Sequence, residues 1–482
     1  MKKSFNVKNM WKRLNAPIPI PFSFSALLDW IPWPALSVIA ALALAEFGLW
    51  PIMVLIPTMR HCSFDHMVDW NRDLLDKALF PLVAWLSIAL YALALAKSLR
   101  EKRSLLAPFR RNPTVPLFLA MAVWMTANIP LTNGMTYCVM HGAGLKHESF
   151  PLVLEYFLCF FPLGLFLRNQ RLKLWLLRGL TVVSVILASC SFYLHDNLTC
   201  SPNYYDWAPS YSTVFTNLNY YGYFLAVFVS LSAALMAGAE SRRWRAFYAV
   251  ALTLNTVVLS YNHTRGAWIG ALCACLFLAA ARRVLDGKFT LRALAPLVLF
   301  VLALCLTGAF NGELLSSFVR LFQDVNAIAN QPDTALGRYS GFDRWTHWKH
   351  SLALIRQNPI VGIGYEGIHV RNLQFVGNPR PHNEFIQYAL FYGIPGGLLY
   401  IASCASVYVR AFRRRTRLDS LTLAALTAAF GYLVSSFFGL TVYNTAPYLF
   451  IMLGLGYAWG GEENVADNAP GTQSADSASE TE

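Results

Sequence analysis

Long apolar runs separated by short polar segments recur along the chain from Ala35 to Trp459. An α-helix of about twenty apolar residues is long enough to cross the hydrocarbon core of a bilayer. The pattern predicts spans at 35–57, 78–98, 114–131, 150–168, 174–194, 213–239, 246–262, 266–282, 293–310, 384–408, 420–438 and 443–460. We therefore expect an all-α integral membrane protein with about 12 transmembrane helices.

One large polar segment interrupts the late part of this pattern. The pattern predicts five regions: a cytoplasmic and interfacial segment at 1–34, helices 1–9 at 35–310, a loop at 311–381, helices 10–12 at 382–460 and a disordered acidic tail at 461–482. Helix-like stretches lie near 313–329 and 345–356. The loop is large enough for a lid or a binding platform, but too small for an independent domain.

The distribution of basic residues gives the orientation. With a cytoplasmic N-terminus, 27 of the 39 lysines and arginines fall on the inner side of the predicted spans. Cytoplasmic loops of membrane proteins carry such an excess. The loop between helices 9 and 10 is therefore expected to be periplasmic. Because the net charge of +13 follows the membrane topology, it gives no reason to expect binding to nucleic acid.

A histidine stands where the polar loop ends and the next apolar run begins, in Arg380-Pro381-His382-Asn383-Glu384. Asn383 is expected to cap the helix, and the positive end of the helix dipole would keep His382 neutral and able to accept a proton. Gly393 lies eleven residues further on, about 16 Å deeper along a continuous helix. Together with Gly396 it predicts close packing and a kink. The alternative is an interfacial histidine on an ordinary membrane helix.

Arginines at unusual positions are candidate anion ligands. Arg265 lies in a turn between two predicted spans, on the side that otherwise carries few basic residues. It either extends its charge to the membrane surface or binds a phosphate at the N-terminus of the next helix. Arg338 and Arg344 lie in the large loop. For each of these two, the alternative is the charged face of an amphipathic helix.

The spacing of these residues resembles that of a known superfamily. His382-Asn383, nine residues and then Gly393-x-x-Gly396 is similar to the signature of the O-antigen ligase and O-antigen polymerase superfamily of membrane glycosyltransferases. Two further stretches resemble its arginine and loop patterns, Arg265-Gly-Ala-Trp and Arg344-x-x-x-Trp348 followed by Asn358-Pro-x-x-Gly-x-Gly.

The resemblance implies an activity and a role for each of these residues. It implies transfer of a glycan from undecaprenyl diphosphate to a hydroxyl of a lipid A–core acceptor, at the periplasmic face of a bacterial inner membrane. His382 would be the catalytic base. Arg265 with Arg344 or Arg338 would bind the diphosphate, and Asn383, Gly393 and Gly396 would support the site. No cofactor, metal or nucleic acid is implied, and the reaction would invert the anomeric carbon.

Several alternatives remain at this point. A polymerase would use the same donor and a growing glycan as acceptor, and a protein O-oligosaccharyltransferase would use a polypeptide. A polytopic transporter belongs to a different class. The nine cysteines lack C-x-x-C pairs, so we expect no metal site. Three of them, Cys62, Cys138 and Cys200, are expected on the outer side, where a disulfide could form.

Overall fold

The computed structural model describes residues 33–101, 112–142, 148–199, 211–215, 217–310, 312–330, 340–373 and 380–457. The helices in these ranges are α1 Trp33–Gly48, α2 Trp50–His61, α3 Phe64–Leu74, α4 Phe80–Arg100, α5 Thr114–Thr132, α6 Tyr137–His141, α7 Phe150–Glu155, α8 Phe161–Phe166, α9 Gln170–Asn197, α10 Leu218–Gly238, α11 Arg242–Asn262, α12 Arg265–Asp286, α13 Leu291–Phe310, α14 Glu313–Asn330, α15 Ser340–Gln357, α16 Gly367–Val370, α17 Glu384–Arg413, α18 Ser420–Ser436 and α19 Ala446–Leu455. Single π-helical turns precede α4 and α8, and a short 3₁₀ turn follows α17. Extended pairing in the described residues is limited to one bridge between Ser63 and Thr199.

The helices confirm a helical multi-pass membrane protein. Within the described residues, eight helical segments are long and apolar enough to cross a membrane: 33–61, 64–100, 114–132, 170–197, 218–238, 265–286, 291–310 and 384–413. Three more apolar helices are shorter, at 150–166, 420–436 and 446–455. Each predicted span coincides with a helix, but α11 begins with arginines and is less apolar than the eight. The count of twelve crossings therefore stays a prediction.

The helix α10 forms the centre of the bundle. Almost all of its side chains are buried, and it packs against α11, α12 and α18. Small residues permit this packing: a Cβ on Gly431 of α18 would lie 2.3 Å from the Ser230 hydroxyl of α10. Membrane helices commonly approach each other through such residues, because the lipid offers no hydrophobic drive for helix association.

The predicted loop helices near 313–329 and 345–356 are present as α14 and α15. The N-terminal segment up to residue 32 and the acidic tail from residue 458 lie outside the described residues, as does Cys200. Cys62 and Cys138 are not bonded to each other.

Candidate functional site

The helix α17 is folded back on itself at Gly393. This glycine has φ 71° and ψ 178°, which interrupts the helix. The rings of Tyr388 and Tyr400 stack with their centroids 4.0 Å apart, although twelve residues of continuous helix would separate them by about 18 Å. The kink that the glycines predicted is therefore a reversal of the chain at Gly393. Residues 384–392 and 394–413 form two arms of a hairpin.

A loop from the predicted motif holds the tip of this hairpin together. Backbone N–H groups of the 358–364 loop donate to carbonyls at the end of the first arm, and the first N–H of the second arm donates back to the loop. These bonds are Ile363 N to Leu390 O (2.9 Å), Gly364 N to Phe391 O (3.0 Å) and Ile394 N to Pro359 O (2.8 Å). They satisfy the backbone groups that the break releases, because buried backbone N–H and C=O groups need partners. The two glycine motifs thus meet as one structural unit.

His382 stands at the start of the first arm in a rare backbone conformation. Its φ is 50°, in the left-handed region, which costs a non-glycine residue about 1–3 kcal/mol. The next residue, Asn383, caps the helix as predicted: its side chain accepts a hydrogen bond of 3.1 Å from the Ile386 N–H. The half-buried His382 ring stacks on that of His347, with centroids 6.0 Å apart and planes 22° apart.

The helix α15 lines the site with one face. Arg344, His347, Trp348 and Ser351 have the i, i+3, i+4, i+7 spacing of a single helix face. His347 is 6% exposed and Ser351 is fully buried. Arg344 is half-buried and makes no ion pair with any other residue that the structure describes. Trp348 on the same face packs on Phe437, whose ring lies 6.3 Å from that of Phe385, so this face of α15 lies near the start of the hairpin.

Arg265 is the first residue of α12, and its guanidinium is paired with the loop. Its Nη1 lies 3.0 Å from Oδ2 of Asp324 on α14, and the two side chains are 24% and 9% exposed. An anion at this helix N-terminus would meet a guanidinium and the positive end of the helix dipole. It would also have to replace the Asp324 carboxylate.

Two adjacent phenylalanines connect Arg265 with the hairpin and α15. The ring of Phe437 lies 5.5 Å from Trp348 and 6.3 Å from Phe385. Its neighbour Phe438 contacts the backbone of Gly266, where an added Cβ would lie 2.8 Å from the Phe438 Cβ. Three segments that are far apart in sequence therefore converge after α18.

A buried ion cluster lies directly before His382, and no local sequence pattern indicates it. Arg380 is 1% exposed and pairs with Glu148 (2.6 Å) and with Glu366. Burial alone would lower the pKa of Arg380, but the charges of Glu366 and Glu148 raise it well above its ordinary value. Glu148 also accepts a hydrogen bond of 3.0 Å from Tyr156. Arg380 therefore carries a charge and fixes the chain at the entry to the hairpin.

Glu384, the first residue of the hairpin, faces inward and accepts a hydrogen bond of 2.9 Å from Thr441. Gly396 packs under Trp124 and Tyr392 at the start of the second arm. Arg338 lies outside the described residues. Among the described residues, no three His, Cys, Asp or Glu side chains are grouped so that they could hold a metal ion.

The comparison with protein families agrees with the site. Residues 247–401 match the O-antigen ligase family model, and this range includes Arg265, Arg344, His382 and both motif glycines. This match to an O-antigen ligase domain supports the superfamily that the sequence motifs predicted. No curated protein matches the chain.

Proposed function

We propose that the protein is an O-antigen ligase-type glycosyltransferase. It moves a glycan from undecaprenyl diphosphate to a hydroxyl of a lipid A–core acceptor, without a metal and with inversion at the anomeric carbon. The site faces the periplasm in a bacterial inner membrane. The proposal rests on one observation above all: Arg265, Arg344 and His382, which come from separate segments, converge on one end of the bundle.

The reaction requires two contributions from the protein. The departing diphosphate needs its negative charge stabilised, and arginines do this by paired hydrogen bonds in a partly dry site. Arg265 at a helix N-terminus and Arg344 on α15 have the charge and the location for it. Arg338, outside the described residues, is a further candidate ligand.

The attacking hydroxyl needs a base, and His382 is the histidine that we assign to this role. Its backbone is held between the Arg380 cluster and the Asn383 cap, so the imidazole starts from a fixed point. The diphosphate of a polyprenyl carrier rests at the membrane surface, near the level we expect for the start of the hairpin. Asn383, Gly393 and Gly396 support this arrangement by shaping the hairpin.

The test is transfer by His382→Ala in purified form, with an undecaprenyl diphosphate-linked glycan and a lipid A–core acceptor. Loss of a positioned base lowers the rate by about 10²–10⁴-fold, so transfer should nearly cease while the protein stays folded. His141→Ala, which changes an exposed histidine on α6, is the matched control. Near-normal turnover by His382→Ala, with the same acidic limb of the pH–rate profile, would reject the assignment.

The same assay distinguishes the acceptor. A polymerase would use the same donor and site but would lengthen the glycan on its lipid carrier, and a protein O-oligosaccharyltransferase would modify a polypeptide. We expect glycan on lipid A–core. Products found only on the carrier lipid would assign the polymerase reaction instead.

A further inference from the structure

The ring of His347, on α15, stacks against the His382 imidazole. Its centroid lies 6.0 Å away at an interplanar angle of 22°, within the range of offset-stacked rings. His347 is 6% exposed, and the neighbouring Trp348 packs on Phe437. The position of the His347 ring is therefore fixed by the packing of α15 against the hairpin.

The backbone of His382 is constrained on both sides, but these constraints do not set the direction of its side chain. Arg380 holds the residues before it, and the Asn383 cap holds the helix after it. Rotation about the side-chain bonds would still move the imidazole nitrogens by several ångströms. A misplacement of about 1 Å can cost a catalytic group about 100-fold in rate. A second, buried ring against the imidazole removes this freedom.

We propose that His347 is a positioning residue for His382, and this rests on the proposed function. The stacked ring orients the imidazole of His382, and His347 itself exchanges no proton with the substrate. The contact requires only the flat ring of His347 and its fixed position. An aromatic residue of similar size should replace it.

The experiment is a series at position 347 with the full-length protein in detergent or vesicles. His347→Ala removes the ring and should lower kcat about 10- to 100-fold, with little change in the KM for the undecaprenyl diphosphate-linked donor. His347→Phe keeps a flat ring and should recover most of kcat with the acidic limb of the pH–rate profile unmoved. His350→Ala, one turn further along α15, is the control for loss of a histidine from this helix.

A double variant separates positioning from a merely structural role. If His347 acts through His382, His347→Ala combined with His382→Ala should be no slower than His382→Ala alone, because residues that act as a unit are not additive. Thermal unfolding of each variant identifies those that fail to fold. His347→Phe then carries the comparison if His347→Ala does not fold.

The titratable and charged groups on the surrounding elements are unchanged in His347→Ala and His347→Phe: Arg344 and His350 on α15, Arg320 and Asp324 on α14, and Arg380 and Glu384 at the hairpin. A His347→Ala enzyme with normal kcat would overturn the proposal. So would a His347→Phe enzyme as slow as His347→Ala that has also lost the acidic limb, because His347 would then exchange protons. If His382→Ala is fully active, it is the proposed function that fails.

Discussion

A single glycine decides the path of the chain through the site. Gly393 has a positive φ, and a Cβ there would lie 2.0 Å from the backbone oxygen of Ile360. Real Cβ atoms do not approach a backbone oxygen so closely, and the oxygen belongs to the loop that clamps the hairpin. The tip of the hairpin therefore tolerates no side chain.

We expect Gly393→Ala to unfold the hairpin tip. The strain in φ alone costs about 1 kcal/mol, and the backbone clash adds to it. The thermal midpoint in detergent should fall and transfer should be lost. The control is Gly179→Ala in α9, where a Cβ would meet nothing within 4 Å, so its midpoint should stay or rise slightly. Equal midpoints for the two variants would contradict the folded-back hairpin.

The second residue that fixes the site is Arg380. In Arg380→Met the carboxylates of Glu148 and Glu366 would remain buried without their positive partner. Breaking a buried pair in this way costs about 3–5 kcal/mol. The midpoint of Arg380→Met should therefore fall far more than that of Arg371→Met, whose exposed side chain bonds Asn133. Similar melting of both variants would show that the cluster does not anchor the entry to the hairpin.

The residues of the site differ in how far the sequence could indicate them. His382, Arg265 and Arg344 stand out because a charge or a titratable group at the edge of an apolar run is unusual. Glu148 and Glu366 stand out in no local pattern, because their partner Arg380 lies 232 and 14 residues away. His347 could have been noticed from its place one helical turn after Arg344, on the same helix face.

At the scale of the element, α14 and α15 cover the site from the loop. The helix α15 presents Arg344 and His347, while α14 supplies Asp324 to Arg265. A carboxylate and a phosphate compete for one guanidinium. The contact between α14 and Arg265 should therefore weaken when the donor binds.

We expect Asp324→Asn to tighten donor binding. Removal of the competing carboxylate should lower the donor KM by roughly three- to ten-fold, since a partly exposed ion pair contributes about 1 kcal/mol. Asp73→Asn, which changes an exposed pair with Lys77, should leave the KM unchanged. A raised KM in Asp324→Asn would mean that the carboxylate orients Arg265 for the donor instead of competing with it.

The helices also show how far the structure could be predicted from the sequence. Hydropathy counts apolar residues and so located a helix at each predicted span. The two loop helices, which are not spans, were also predicted. Hydropathy carries no information on the direction in which the chain continues after a break. The glycines around Pro395 indicated a break in α17, but a kink and a complete reversal have the same composition. The reversal depends on backbone bonds from the 358–364 loop, which no local pattern reveals.

At the scale of the whole molecule, the bundle has two chemically different ends. Contacts at one end involve basic residues near the ends of three helices: Arg282 to Ser420, Lys173 to the Leu455 carbonyl, and Arg410 over the ring of Tyr457. The opposite end holds Arg265 with Asp324, and the His382 hairpin. Cytoplasmic ends of membrane proteins carry the excess of lysine and arginine, so the site should face the periplasm.

Labelling of single cysteines with a membrane-impermeant reagent tests this orientation. Gln323→Cys on α14 and Thr416→Cys after α17 are both exposed positions, and each should be introduced into a background without the native cysteines. In intact spheroplasts, Gln323→Cys should be labelled and Thr416→Cys protected until the membrane is permeabilised, because the first lies at the end of the bundle with the site and the second at the basic end. Both variants must be labelled equally after permeabilisation, which shows that each thiol is reactive. Labelling of Thr416→Cys in intact spheroplasts would reverse the orientation, place His382 at the cytoplasmic face and remove the basis for a periplasmic transferase.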